Sequence, residues 1–323
     1  MLQNKAAFGH TCLIILISIL FVGCNQGGEI PKIDKNASEI PGNSVPINDL
    51  SETNSTVQTH TQQSPQEPSK VSVGSSSIQK IQSILARANP NYQGQGKFHE
   101  DNGVIVAAEL PNCELRDLSP LRGLKLQGLD LSGNPVRELR HLKDMPLRSL
   151  FLENTRVENL RDLKSAKLME LRLNNSPIQS LKGLEGQPLE NLYAVGTRIN
   201  EVSPLRSSNL KQLWLSESPV SDVSGLAGLP LVSLTLHRTL VKDLAFVRQL
   251  PVLQRLHIGE TLVEDLSPLA GVNLSRLVFT PSRIKRGMNV ARSLYGLREI
   301  GTVFDDGGRD ITSPGAFWAK FSP

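Results

Sequence analysis

Aromatic residues, cysteine and recognisable catalytic motifs are all scarce in this sequence. Of its 323 residues, 4% are aromatic and three are cysteine. The cysteines are too dispersed to form a zinc or redox motif. The chain contains no Gly-x-Ser-x-Gly, no phosphate-binding glycine loop and no His-Glu-x-x-His. We therefore expect no enzymatic activity, no cofactor and no metal site.

The sequence also lacks a strong charge of either sign. Its formal net charge is +4, and residues 24–77 carry three basic and six acidic side chains, which leaves a mild positive balance on the rest. The Lys and Arg residues form no dense stripe with interleaved aromatics, which is the usual electrostatic footprint of a nucleic-acid surface. The charge pattern therefore predicts no nucleic-acid partner.

The longest apolar run is short and lies near the N-terminus. Residues 12–22 (CLIILISILFV) form an 11-residue run that is apolar except for Ser18, whereas a spanning helix needs about 20 apolar residues. The run therefore predicts a cleaved signal peptide over residues 1–23. The phrase Phe21-Val22-Gly23-Cys24 resembles the lipobox of bacterial lipoproteins, which implies that Cys24 is acylated and anchors the chain to a membrane. The alternative is an ordinary secretory signal with Cys24 incidental.

Residues 24–77 are rich in Ser, Thr, Pro and Gln and poor in large apolar side chains. Such a segment cannot bury enough surface to offset its chain entropy, so we expect a disordered tether. As a random coil of this length it would span roughly 40 Å. Together with the anchor, it predicts an extracytoplasmic protein held at the cell envelope.

One phrase returns at a fixed spacing through most of the remaining chain. It reads Leu-x-x-Leu-x-Leu-x-x-(Asn/Thr/Ser/Cys)-x-(Val/Ile/Leu), and its copies are 21 residues apart with one step of 22. A period of 20–29 residues with this phrase is the signature of leucine-rich repeats, which stack into a curved solenoid. Nine copies begin at Ile105, Leu126, Leu147, Leu168, Leu189, Leu210, Leu231, Leu253 and Leu274.

Each part of the repeat predicts a local structure. The Leu-x-Leu piece is a short strand whose leucines point inward, and the small polar residue that follows should bond to backbone groups along a buried ladder. Phrases such as Asp117-Leu118-Ser119-Pro120-Leu121 suit an extended or 3₁₀ return on the convex side, since 21 residues leave no room for a full helix. The ladder positions are Cys113, Asn134, Thr155, Ser176, Thr197, Ser218, Thr239, Thr261 and Ser282.

The repeated phrase "DLSPL", at residues 117–121 and 265–269, resembles the internalin-like class of bacterial leucine-rich repeats. The segments Asn89-Pro90-Asn91-Tyr92 and "LREIGTVFDDGG" are similar to segments that flank repeat domains in planctomycete-type bacteria. The resemblance implies a binding module and brings no catalytic residues with it.

The predicted fold is an α/β-type solenoid, mainly β, shaped as a horseshoe with short parallel strands on its concave face. A helical cap should occupy residues 78–104 and the repeats residues 105–284. A C-terminal cap over residues 285–323 should use late aromatics to close the apolar end. These aromatics are Phe304, Phe317, Trp318 and Phe321.

Outward positions of the strands line the concave face and supply the candidate binding residues. Phe151, Tyr193 and Trp214 share the central column of these positions and should face solvent, with Arg172 between two of the rings and able to stack on either one. Aromatics and Arg are the side chains that most often anchor interfaces, although isolated exposed aromatics are also common. A second cluster, at His237, Arg238, Arg255 and His257, has three interpretations: a basic patch that accepts anions, a solvated face, or a metal site. The metal site is the least favoured, because only two His are available and no carboxylate plainly converges on them.

The sequence therefore predicts a non-enzymatic, membrane-tethered module that recognises a protein partner through its concave face. Two alternatives stay open: an envelope carbohydrate-binding protein that uses the same aromatics as stacking platforms, and a structural spacer without a specific ligand. The proposed partner-binding residues are Phe151, Arg172, Tyr193, Trp214, His237, Arg255 and His257.

Overall fold

The computed structural model describes residues 77–302 and 310–321. Cys24, the signal segment and all of the proposed tether except Ser77 lie outside the described residues. Within them, every strand belongs to one sheet of 11 strands whose spatial order is the order in sequence. The strands are β1 Lys97–Asp101, β2 Val104–Glu109, β3 Gly128–Asp130, β4 Ser149–Phe151, β5 Glu170–Arg172, β6 Asn191–Tyr193, β7 Gln212–Trp214, β8 Ser233–Thr235, β9 Arg255–His257, β10 Arg276–Val278 and β11 Glu299–Gly301.

Each sequence repeat contributes one strand to the sheet, so the period of the sequence sets the register of the strands. From β2 to β11 the strands are parallel, and each pairs with the equivalent residues of the next repeat, for example Leu150 with Leu171. The step of 22 residues is absorbed between β8 and β9, where Leu234 still pairs with Leu256. The inward leucines are fully buried and stack into one continuous core. The predicted leucine-rich-repeat solenoid, mainly β, is therefore confirmed.

The convex side returns through short 3₁₀ segments, as the phrase predicted. An aspartate lies two residues before several of them, and its carboxylate accepts the N–H of the first residue of the segment: Asp117 accepts from Ser119 at 2.7 Å and Asp265 from Ser267 at 2.8 Å. These bonds occupy N–H groups that the 3₁₀ turn leaves without a backbone acceptor. The convex segments are Ser119–Leu121, Arg140–Leu142, Arg161–Leu163, Ser203–Leu205, Ser224–Leu226, Ala245–Gln249 and Ser267–Leu269. One further 3₁₀ segment, Pro281–Arg283, directly follows β10 at the ladder position.

The small polar residues form the predicted buried ladder. Asn134 makes the most side-chain hydrogen bonds in this ladder. Its amide oxygen accepts from the N–H groups of Cys113 and Leu115, and its amide nitrogen donates to the carbonyls of Leu110 and Leu131. The buried Thr and Ser members bond the carbonyl three residues back, except Ser176, which donates to a carbonyl of the preceding repeat. Ser282 departs from the prediction: it lies exposed in a 3₁₀ segment, so the ladder ends one repeat earlier.

The N-terminal end of the core is covered by helix α1, Ser77–Ala88, which buries Ile81 and Leu85. Beyond the helix, β1 and β2 form an antiparallel hairpin that the sequence did not predict. The reason is that β1 lies outside the repeat frame and its sequence, Lys-Phe-His-Glu-Asp, has one buried residue. The hairpin gives the sheet a charged outer edge in place of an apolar one.

The C-terminal end is closed by helix α2 (Met288–Arg292), β11 and helix α3 (Pro314–Lys320). Phe317 is buried against Phe279 at a centroid distance of 6.0 Å, and Trp318 packs edge-on against Phe317 at 4.9 Å. The aromatic cap is thus confirmed for these side chains. Phe321 remains 42% exposed at its edge, and Phe304 lies outside the described residues.

Candidate functional site

The concave face carries three columns of side chains, set by the register of the sheet. The central column places Phe151, Arg172, Tyr193 and Trp214 on consecutive strands. Adjacent strands lie about 4.8 Å apart, so each side chain in a column contacts its neighbours in the repeats on either side. The same column continues through Thr235 to His257.

Phe151 does not face solvent as the frame position suggested: it is only 3% exposed. Arg172 covers it, with the guanidinium carbon 4.4 Å from the centre of the Phe151 ring and 5.4 Å from that of Tyr193. The predicted stacking of Arg172 between the two rings is therefore present. Because the arginine lies over the Phe151 ring, that ring forms the floor of the face.

Tyr193 and Trp214 remain half-buried and form the accessible aromatic part of the face. Their rings meet edge to face, with centroids 5.3 Å apart and planes at 72°. The Tyr193 hydroxyl lies 3.4 Å from the Gln212 side-chain oxygen. Burial, followed by the nearby Glu170 carboxylate, raises the pKa of Tyr193 above its ordinary value, so the hydroxyl stays protonated.

Carboxylates surround the N-terminal side of this aromatic pair. Glu170 forms an ion pair with Arg172 at 2.8 Å. Glu153 accepts a hydrogen bond from the Asn174 amide at 2.6 Å, and Asp130 accepts the Ser132 backbone N–H at 2.8 Å. Burial raises the pKa of both Asp130 and Glu153 above the ordinary range for carboxylates.

The sequence had placed these carboxylates in the concave columns without giving them a function. Further toward the N-terminus, Glu109 pairs with His99 of the unpredicted hairpin at 2.7 Å. Glu109, Asp130 and Glu153 occur at outward positions of three successive repeats, and Glu170 occurs at an outward position of the fourth. We name these four side chains the acidic end. Their recurrence in the repeat frame is the sequence signal that identifies it.

The two histidines of the second cluster are not the open cationic groups that a basic patch requires. His257 is 3% exposed and His237 is 7% exposed. Burial, followed by the neighbouring Arg276 and Arg255 charges, lowers the pKa of His257 to about 3. Burial also lowers the pKa of His237, so both rings are neutral near pH 7. The prediction of a basic patch is therefore wrong for the histidines.

Arg238 is not an open cation either, because carboxylates of the two adjacent repeats bind its guanidinium. Its φ of 55° lies in the left-handed region, as do those of Glu217 and Glu260 at the equivalent positions of the adjacent repeats. Its guanidinium bridges these two carboxylates, at 3.0 Å from Glu217 and 2.9 Å from Glu260. Within residues 77–302 and 310–321, no group of three or more His, Cys, Asp and Glu side chains could hold a metal ion.

The remaining arginines of this half are Arg255 and Arg276, which are neighbours in the first column. Arg276 pairs with Glu299 at 2.6 Å. Arg255 is half-buried and forms no ion pair with any carboxylate of the described chain. Among the described residues, the face offers stacking surface, one arginine without an ion-pair partner and several carboxylates, which are groups suited to binding.

No family model matches this chain, and no curated protein matches it. Among solved structures it is similar to the internalin InlF of Listeria monocytogenes, at 19% identity and a TM-score of 0.49, over 70% of this chain and 74% of that one. Internalin C2 of the same organism has 26% identity and a TM-score of 0.42, over 54% and 71%. The leucine-rich-repeat protein LIC12759 of Leptospira interrogans has 20% identity and a TM-score of 0.44, over 60% and 59%. The assignment of the fold rests on the strand register and repeat geometry of the chain itself.

Proposed function

We propose that this protein is a non-enzymatic binding module that recognises a protein partner through its concave face. The observation that carries the proposal is the half-buried pair Tyr193 and Trp214, which meets edge to face in the middle of that surface. Interfaces are enriched in such aromatic anchors and in arginine, and truncating an anchor typically costs 2 kcal/mol or more.

The other proposed residues have distinct functions around this pair. Arg172 is held by Glu170 and stacks on the Phe151 ring, so its position is preorganised before a partner binds. Phe151, His237 and His257 are buried and shape the floor of the face, whereas Arg255 is a charge that a partner can reach. Preorganised side chains lose less conformational entropy on binding, which favours affinity.

The test is the variant Trp214→Ala, measured for both affinity and stability. The partner is first captured by cross-linking the native protein in its envelope and then identified. We expect Trp214→Ala to weaken that complex by about 2 kcal/mol or more. The free energy of unfolding should fall by less than the roughly 3 kcal/mol typical of truncating a fully buried Trp, because this ring is only half-buried.

Tyr295→Ala is the matched control, because Tyr295 is 87% exposed and lies outside the strand columns. It should leave both quantities unchanged. A large fall in melting temperature with unchanged affinity would identify Trp214 as packing and contradict the proposal. Binding of soluble glycans with the same Trp214 dependence, and no captured protein, would favour the carbohydrate alternative instead.

We also propose that Cys24 is acylated and holds the module at a membrane of the cell envelope. The support is the short apolar run that ends at Gly23-Cys24 and the polar segment of residues 24–77 that follows. Burial of acyl chains contributes about 0.8 kcal/mol per methylene, so two chains anchor a protein stably. Within the described residues, no helix is both long and apolar enough to cross a membrane.

A further inference from the structure

The charges of the concave face are sorted along the solenoid. The acidic end consists of Glu109, Asp130, Glu153 and Glu170, on or directly after strands β2 to β5. Arg172 is the one guanidinium among the central-column residues from Glu109 to Trp214, and it is already paired with Glu170. Glu109 and Glu170 have ion-pair partners, whereas Asp130 and Glu153 have none within the described residues. Since buried or half-buried charges are costly without partners, this end of the face is suited to receiving a cation.

At the opposite end of the face, one cation has no ion-pair partner within residues 77–302 and 310–321. Arg172 and Arg276 each have a carboxylate partner on the face, whereas Arg255 has none in the described chain. Glu299 is close enough to interact with Arg255 electrostatically, but it is bonded to Arg276. Burial and the charges of both arginines keep the His257 ring neutral near pH 7, so it adds no charge to this end of the face.

The aromatic pair lies between these two charged ends. Glu153 is in the third column beside β4, Trp214 in the central column on β7, and Arg255 in the first column on β9. With strands about 4.8 Å apart and about 3.3 Å per residue along a strand, the diagonal from Glu153 to Arg255 is about 27 Å. An extended peptide covers that distance with about eight residue steps, and Trp214 lies near the midpoint.

We propose that the concave face binds an extended peptide segment of opposite charge order, lying diagonally across the strands. A Lys or Arg of the segment pairs with Glu153 and the acidic end, an apolar side chain packs on Tyr193 and Trp214, and an Asp or Glu pairs with Arg255. This inference rests on the proposed function and adds the chemistry and orientation of the partner. The reverse placement would bring like charges together, which costs binding energy and enforces one orientation.

Burial raises the pKa values of Asp130 and Glu153, and the charge of Arg172 offsets this only in part, which agrees with an arrangement in which a partner supplies a further cation. A cationic side chain at this end would return both pKa values toward the ordinary range. The exposed ion pairs elsewhere on the molecule, such as Arg140 with Glu138 on the convex side, have no such deficit.

The test uses synthetic, end-capped nine-residue peptides with Lys at position 1, Phe at position 5, Glu at position 9 and Ser or Thr elsewhere. The reversed sequence is included so that both chain directions are sampled. Two further peptides carry Lys at both ends or Glu at both ends. Binding is measured by fluorescence anisotropy at low and high salt, since exposed ion pairs are screened by salt.

We expect one dipolar peptide to bind at least about tenfold more tightly than either single-sign peptide, a difference of about 1.4 kcal/mol. Arg255→Glu should remove this preference and improve binding of the Lys/Lys peptide. Glu153→Lys should likewise remove the preference for the dipolar peptide and improve binding of the Glu/Glu peptide. Arg140→Glu makes the same change of net charge as Arg255→Glu at a site that is 67% exposed on the convex side, and should have little effect.

Equal binding of all peptides would overturn the inference, as would no detectable binding of any. An effect of Arg140→Glu as large as that of Arg255→Glu would overturn it too, because net charge alone would then explain the result. None of these outcomes affects the Trp214→Ala test on the captured partner, so failure of the charge order and failure of the proposed function are distinguishable.

Discussion

Acidification should destabilise this protein through His257, a histidine held neutral inside the concave face. The ring is 3% exposed, and its Nδ1 lies 3.4 Å from the Thr235 hydroxyl. Burial is the main cause that lowers its pKa to about 3, and the charges of Arg276 and Arg255 lower it further. In the unfolded chain the same side chain titrates near its ordinary value of about 6.5.

The direction of the effect follows from proton binding. Between pH 6.5 and about 3 the unfolded state binds a proton at His257, whereas the folded state does not. The free energy of unfolding therefore falls as pH falls through this window, and the contribution is absent above it. At pH 5 the loss from this one side chain is about 2 kcal/mol, from about 1.4 kcal/mol for each pH step below 6.5.

The variant that isolates this effect is His257→Thr. The preceding strand, β8, carries the buried Thr235 at the same position of the column, so a threonine is tolerated there. Urea unfolding of both proteins is followed by far-UV circular dichroism at pH 7.5 and pH 5. The wild type should lose about 2 kcal/mol more than the variant between the two pH values. Carboxylates titrate in both proteins, so most of their contribution cancels in the difference.

His141→Thr serves as the control, since His141 lies on the convex side within a 3₁₀ segment. The free energy of unfolding of this variant should change between the two pH values by as much as that of the wild type. If His257→Thr and the wild type lose stability equally on acidification, His257 is not held neutral by burial, and the concave face is more open than the structure shows.

Two further predictions concern the core and the anchor. Asn134→Ala should lower the free energy of unfolding by about 3 kcal/mol or more, because it leaves two N–H groups and the Leu110 carbonyl without their bonds and removes one of two donors to the Leu131 carbonyl. Thr239→Ala, which removes one bond to the Leu236 carbonyl, should cost about 1 kcal/mol, and equal losses for the two variants would contradict the ladder. Cys24→Ala should move the protein out of the detergent-rich phase or leave its precursor uncleaved, whereas normal processing with unchanged partitioning would rule out acylation.

The sequence alone determined the repeating parts of this protein. Each repeat must place its Leu-x-Leu strand, its small polar residue and its 3₁₀ return where the next repeat can cover them, so one 21-residue frame specifies the whole stack. That frame was sufficient to predict the pairing of Leu150 with Leu171 and the alignment of Tyr193 with Trp214. It also predicted the stacking of Arg172 between two rings, because neighbours in a column are one strand apart.

The tertiary structure decided which concave side chains are accessible and which carry charge. Exposure on a curved sheet depends on the size and direction of the side chains one repeat away, so Phe151 is buried by an arginine 21 residues later. The neutrality of His257 likewise depends on burial and on Arg276, which the pattern of one repeat does not contain. The β1–β2 hairpin and the exposed Ser282 mark the two ends, where the period stops and non-repeating contacts determine the chain path.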